Sequence, residues 1–226
     1  MAVFGLLHGA FEGAWVWEFL TPELRQLGHD AIAVDLPIND ITAGWDDHVD
    51  VALAAFGDQD AIVVAHSRSG RMVPRLLERG KFSDVILLAA SIPGGILPPP
   101  YQSGGAPAAG AVTAQTRKTD SLGRTVCTRE VAERLFDDCP PGTVDWALAK
   151  VRPQHELPVP DDTRWPDVRV AYVYGEQEPA VAPEWIKLAC RERLGIEALG
   201  MPGGHSLFVS RPAELARTLD SLVPVR

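Results

Sequence analysis

Cysteine is scarce: Cys127, Cys139 and Cys190 are the three in 226 residues, and they share neither a metal-ligand nor a redox spacing. No thiolate metal site is therefore expected, and an odd count without a signal peptide points to the reducing cytoplasm. Positive charge is also in short supply. Twenty-one Lys and Arg against 30 Asp and Glu leave a net charge of −9. That balance argues against a nucleic-acid partner and against an anionic membrane surface. No apolar run approaches the roughly 20 residues that span a bilayer. The chain runs straight into a strand, so no targeting segment is expected, and there is no internal repeat. What is present, 46% hydrophobic and 23% charged residues, is the composition of an ordinary soluble globule. The length suffices for a full core, most simply one α/β domain carrying an insertion.

Apolar runs and helical stretches alternate along the chain. Residues 3–7, 31–34, 61–65, 85–90, 168–174 and 196–201 read as strands. Helices are expected over residues 15–27, 46–56, 68–80, 183–194 and 212–222. Such alternation predicts a parallel sheet with right-handed crossovers, covered on both faces. The alternation breaks after the fourth strand. Residues 94–110 are rich in Pro, Gly and Ala, two short helical patterns follow over 128–137 and 143–150, and a Pro-punctuated stretch, 153–166, leads back to the sheet. The expected division is a core of residues 1–93 and 167–226 with a cap or lid of residues 94–166. Tyr101, Phe136 and Trp146 line its underside or pack it against itself.

The chain is organised around Asp60-Ala-Ile-Val-Val-Ala-His-Ser-Arg-Ser-Gly70. A buried strand ends abruptly in His66-Ser67 and a helix begins at once. Ser67 then stands at a strand-to-helix turn with its Oγ exposed, beside the unpaired N–H groups of a helix start. Ala65 and Ser69 flank it where strand and helix backbones pass closely. Ser69 would already lie inside the helix, so Ser67 is the candidate nucleophile. A serine hydroxyl needs a neighbouring base, and the base an orienting acid. Of six histidines, His205 lies in the glycine-bracketed loop Gly203-Gly-His-Ser206 after the last strand, where it can reach across the sheet edge. His8, ending the first strand, is assigned to shaping its loop, and His66 to facing away from Ser67. Glu176 and Glu178 follow the fifth strand; Glu178, just before Pro179, is preferred as the acid. An oxyanion hole would take one N–H from Arg68 and one from the loop His8-Gly-Ala-Phe11, with Ala10 the candidate.

These parts together resemble the α/β-hydrolase superfamily along nearly the whole chain. The carrying stretches are Leu7-His-Gly-Ala-Phe-Glu-Gly-Ala-Trp-Val-Trp17, Val34-Asp-Leu-Pro37, His66-Ser-Arg-Ser-Gly70, Tyr172-Val-Tyr-Gly-Glu-Gln-Glu-Pro-Ala-Val181 and Gly203-Gly-His-Ser206. The chain looks most like the small branch of plant methylesterases, hydroxynitrile lyases and their bacterial esterase relatives. The resemblance implies a three-layer fold of about six parallel strands with a helical cap after the fourth, and no cofactor or metal. It implies a Ser67–Glu178–His205 triad with Ala10 and Arg68 donating to the oxyanion. Ala65 and Ser69 replace the usual glycines, and Glu178 stands where Asp is usual. The expected activity is a serine carboxylesterase acting on an ester, thioester or lactone of a small to medium hydrophobic molecule. Phe11, Glu12, Phe136 and Trp146 are the candidate substrate-binding residues. A C–C lyase and a non-catalytic ligand receptor are the alternatives; the lyase branch commonly has a Lys after the base, where Ser206 stands here. For the Arg68 side chain the candidate partners are Glu12 and a substrate carboxylate, or it is solvated. The oligomeric state, homodimer included, is left open.

Overall fold

In the computed structural model, residues 1–82, 84–94, 117–160 and 164–224 are described. Six strands form one all-parallel sheet: β1 Val3–Leu7, β2 Asp30–Val34, β3 Ala61–His66, β4 Asp84–Leu88, β5 Arg169–Gly175 and β6 Leu199–Met201. Their order is β2-β1-β3-β4-β5-β6, which puts β3 next to the first strand on one side and the fourth on the other. Register aligns Leu7 with Ala65 and His66 with Leu88, so the C-terminal ends of β1, β3 and β4 arrive at one edge together.

The helices are α1 Leu20–Gln26, α2 Trp45–Phe56, α3 Val73–Arg79, α4 Arg129–Leu135, α5 Thr143–Leu148, α6 Pro183–Ala189, α7 Leu207–Ser210 and α8 Pro212–Ser221. Because strand side chains alternate, the sheet feeds two separate cores. Val63, Ala65, Val85, Leu87 and Tyr172 pack with Val49, Phe56, Val73, Leu76 and Ile186 of α2, α3 and α6. Ile62, Val64, Ile86, Leu88 and Val173 face the other way, onto Leu20, Leu24, Phe208, Leu215 and Leu219 of α1, α7 and α8. Burial of both faces accounts for the near-continuous apolar runs in β3 and β4.

Helix starts depart from the sequence reading for a local reason. The helix expected over 15–27 is a 3₁₀ turn, Ala14–Glu18, followed by α1. The helix expected over 68–80 is a 3₁₀ turn, Ser67–Arg71, followed by α3. Pro22 and Pro74 have no N–H to donate and are tolerated only in a first turn, so each fixes where its α-helix starts. The closing strand is only Leu199–Met201, and α7, right after His205, is not foreshadowed by periodicity.

Between β4 and β5 lie α4 and α5. Tyr101 and most of the Pro/Gly/Ala-rich stretch fall outside the described residues. Trp146 of α5 rests on Trp15 and Phe19, with ring centroids 4.8 and 5.4 Å away, and its indole N–H donates to Glu18 at 3.1 Å. The return segment is tied down by backbone contacts: Arg152 N–H to the Phe11 carbonyl at 2.8 Å and His155 N–H to that of Ile38 at 2.7 Å. Among the described residues, no helix is long and apolar enough to cross a membrane.

Candidate active site

Three non-glycine residues among those described have positive φ: Phe11 at 66°, Ser67 at 52° and Ala89 at 46°. They follow β1, β3 and β4, three adjacent strands, at the C-terminal edge. L-residues pay steric energy for this conformation, and such strain gathers where a fold holds a functional geometry. Ser67 is partly exposed, whereas His66 before it and Arg68 after it are buried. Ser69 is excluded as nucleophile by its bonds: its hydroxyl donates to the carbonyls of His66 at 2.8 Å and Leu7 at 3.1 Å. It thus staples the elbow to β1, a role that its small size alone did not suggest.

His205 and Glu178 meet, as expected. The imidazole Nδ1 lies 2.9 and 2.8 Å from the two carboxylate oxygens of Glu178, and both residues are buried. With Nδ1 engaged there, Nε2 is the nitrogen left to exchange a proton. Backbone N–H groups of Ala180 and Val181 also donate to Glu178, at 2.7 and 3.3 Å, whereas Glu176 is exposed. Burial by itself would push the His205 pKa down; the charge and hydrogen bond of Glu178 outweigh it and hold the pKa above the ordinary imidazole value. Glu178 moves oppositely. Burial would raise its pKa, but the imidazole charge and hydrogen bond keep it below the usual carboxylate value. Gly175 makes this meeting possible, since a Cβ there would stand 2.2 Å from the carbonyl oxygen of Gly204. The ring of His205 packs on that of His66, centroids 4.7 Å apart, which brings His205 to the residue preceding Ser67.

The loop after β1 lies against the elbow. A Cβ on Gly9 would come within 2.9 Å of both the Ser67 Cβ and His66 Nδ1. Only glycine allows that approach. The N–H of Gly9 donates to the Glu12 carboxylate at 2.7 Å, and that of Phe11 to Gln154 Oε1 at 3.4 Å. The N–H of Ala10, between these two, has no protein partner among the described residues. His8 shapes this loop, as expected: Nδ1 lies 2.9 Å from the Gly9 carbonyl and Nε2 accepts from Leu36 N–H at 2.9 Å. Burial lowers its pKa to about 4, against the opposing pull of its hydrogen bond to Gly9, so it stays neutral.

The other candidate residues have defined protein surroundings. Glu12 is 2% exposed, and its carboxylate is shared between Gly9 N–H and His66 Nδ1, the latter at 3.2 Å. Arg68 meets neither Glu12 nor solvent. Its guanidinium lies over the Trp45 ring, 4.6 Å from the centroid, and donates to the His155 carbonyl at 3.0 Å. Burial, with Arg71 nearby adding like charge, lowers its pKa to about 10, where it is still charged. Flat aromatic surface on α2 faces the delocalised cation, and the charge of Glu156 partly offsets the burial. Phe136, 2% exposed, belongs to the core cluster of α1, α7 and α8, and Trp146 is spent on the core contacts described above. Phe11 is buried at the strained turn, and its backbone is bonded to Arg152 and Gln154.

Three participants had no signal in the sequence. Arg152 donates to the carbonyls of Glu12 and Leu36, at 2.9 and 3.2 Å, and to Asp35. Gln154, fully buried, bonds Phe11 and Ile38. His66, read as merely facing away from Ser67, pairs with Glu12. All depend on contacts across more than fifty residues of chain. No group of three or more His, Cys, Asp or Glu among the described residues is arranged to hold a metal.

The chain is similar to several known proteins. Norfluorocurarine synthase 1 of Strychnos nux-vomica is 33% identical over 111 residues, covering 43% of this chain and 42% of that protein. Methyl jasmonate esterase 1 of Vitis vinifera is 32% identical over 104 residues, 40% of each chain. The matched stretch thus spans about two fifths of the length of these relatives. A solved structure of a polyneuridine aldehyde esterase variant superposes with a TM-score of 0.80 at 18% identity, covering 99% of both chains. The profile of the alpha/beta hydrolase family matches residues 6–218, and the chain belongs to that family.

Proposed function

We propose that the protein is a serine esterase that cleaves an ester, thioester or lactone of a small to medium hydrophobic molecule through an acyl-enzyme. The observation that carries this reading is the buried Glu178–His205 pair, two contacts under 3 Å, whose ring packs on His66, the residue before a strained serine at a strand-to-helix turn. Ser67 Oγ attacks the carbonyl carbon while His205 Nε2 takes its proton. Glu178 fixes the tautomer and stabilises the imidazolium. Negative charge builds on the carbonyl oxygen, where the N–H groups of Ala10 and Arg68 donate, each worth about 3 kcal/mol in the transition state. The imidazolium returns its proton to the leaving alcohol. Water then attacks the acyl-enzyme by the same route in reverse order, releasing the acid and restoring Ser67.

The raised His205 pKa suits this cycle, because a more basic imidazole is the better proton acceptor near neutrality. Ser206, directly after the base, spends its hydroxyl on the Leu135 carbonyl at 2.7 Å, which leaves the C–C lyase alternative without supporting chemistry at that position. Relatives named for methyl jasmonate esterase and methylesterase activity make methyl esters of small carboxylic acids the first substrates to try. The test is release of chromophore from short-chain aryl esters and of acid from methyl esters, with and without a serine-directed phosphonate. Turnover that the phosphonate abolishes is expected; phosphonate-insensitive turnover, or none on any ester, contradicts the reading.

A further inference from the structure

Beside the pair assigned to proton transfer stands a second buried carboxylate–imidazole pair that the mechanism does not use. Glu12 Oε2 lies 3.2 Å from His66 Nδ1, and both side chains are 2% exposed or less. Isolated buried carboxylates are costly, and such groups persist when their hydrogen bonds are satisfied. Here the same oxygen also takes the N–H of Gly9 at 2.7 Å. One atom thus links the loop after β1 to the last residue of β3. Each end of that link is one step from a reacting group, since Gly9 precedes Ala10 and His66 precedes Ser67.

We propose, on the basis of the esterase reading, that Glu12 is a positioning residue that fixes the Ala10 N–H relative to Ser67 and lends negative charge to the base across the contact between the His66 and His205 rings. The geometry leaves little slack. Gly9 is already so close to Ser67 and His66 that an added Cβ would sit 2.9 Å from each. Arg152 holds the Glu12 carbonyl and Gln154 the Phe11 N–H, so the carboxylate closes the remaining free end of the loop. Its charge also persists: burial would raise the Glu12 pKa, but the adjacent His66 and the Gly9 hydrogen bond keep it low. Glu12 is one of the groups that raise the His205 pKa, after Glu178 and ahead of Asp137. The charged or titratable groups facing His205 are thus Glu178 after β5, Glu12 after β1, Asp137 after α4 and His66 on β3. Asp138 lies against the neighbouring Gly204.

Two substitutions separate charge from geometry. Glu12→Gln keeps an oxygen for the Gly9 N–H and removes the charge. Glu12→Ala removes both. For each variant, phosphonate labelling of Ser67, kcat and KM on a short-chain ester, and the pH dependence of kcat/KM are measured. Both should still label at one phosphonyl group per chain, with KM nearly unchanged. Glu12→Ala should lose about 10²-fold in kcat, the scale of a small misplacement in an active site. Glu12→Gln should lose less, but the rising limb of its profile should move to lower pH, because the Glu12 charge that helps raise the His205 pKa is gone while Glu178 and Asp137 are unaltered. A purely structural carboxylate would lower the melting temperature and leave kcat and the limb where they are in the wild type. That result overturns the inference, and Glu12→Gln can deliver it even if Glu12→Ala does not fold. Failure of the wild type itself to label or to turn over any ester overturns the esterase reading and this inference with it.

Discussion

Two glutamate–histidine pairs lie side by side at the C-terminal edge of the sheet, and they differ in what else holds each carboxylate. Glu178 collects the Ala180 and Val181 N–H groups from its own turn and presents both oxygens to His205. Glu12 collects the Gly9 N–H and presents one oxygen to His66. His205 sits on a loop after the last strand, with its second nitrogen available. His66 sits on a central strand, and its Nε2 is buried without a hydrogen-bond partner among the described residues. In the proposed mechanism the same two side chains therefore perform different work: on a loop the pair cycles a proton, and within the sheet it holds position and supplies charge. Location in the fold, more than residue type, sets the role.

The contrast can be broken most severely at the first pair. Glu178→Gln should lower kcat by about 10³- to 10⁴-fold, the loss seen when an orienting carboxylate is neutralised, while Glu176→Gln should stay within about twofold because that side chain is exposed. The reverse ranking would move the acid two residues upstream. The pH dependence follows with a definite sign. The base must be neutral to act, so kcat/KM rises with pH through the His205 pKa. With that pKa raised, the midpoint should lie above the ordinary value of about 6.5, and residual activity in Glu178→Gln should show it lowered. A midpoint below 6.5 in the wild type would contradict the pairing.

Smaller effects sharpen the boundary of the site. Trp146→Ala removes stacking on Trp15 and Phe19 and should cost about 1–3 kcal/mol of stability, less than a fully buried tryptophan. It should leave the ratio of kcat/KM for large and small esters unchanged. A changed ratio at equal stability would restore Trp146 to the substrate pocket. Arg68→Leu should be milder still, affecting neutral and carboxylate-bearing esters alike, since its guanidinium rests on Trp45. The double variant Arg68→Leu/Glu12→Gln should be additive within about 0.5 kcal/mol; strong coupling would mean that the two side chains interact after all.

These outcomes also mark what the sequence makes legible. The unbroken run Ala61–Ala65, its abrupt end in His66-Ser67, and the glycines around His205 reflect backbone demands that few residues can meet, so they read directly. Glu178 was separable from Glu176 because the Pro after it fixes a turn. Long-range pairing was not legible. Glu12 and His66 are 54 residues apart, and Gln154 and Phe11 are 143 apart; no local pattern couples them. The surroundings of Arg68 are not legible for a related reason. A cation beside a nucleophile suggests a carboxylate partner, but the partner supplied by the fold is an aromatic face on another helix. The split helices at Pro22 and Pro74 were readable from the proline rule and escaped because apolar periodicity runs through them.

The central claim is that Ser67 is the nucleophile, and the most direct measurement is the mass of the protein after reaction with a serine-directed phosphonate, followed by mapping of the modified peptide. The account predicts one phosphonyl group per chain on Ser67, ester turnover lost in proportion to labelling, and neither labelling nor turnover in a folded Ser67→Ala variant, whose rate should fall by about 10⁴-fold or more. Full turnover after complete labelling of Ser67, or an undiminished rate in Ser67→Ala, would contradict it.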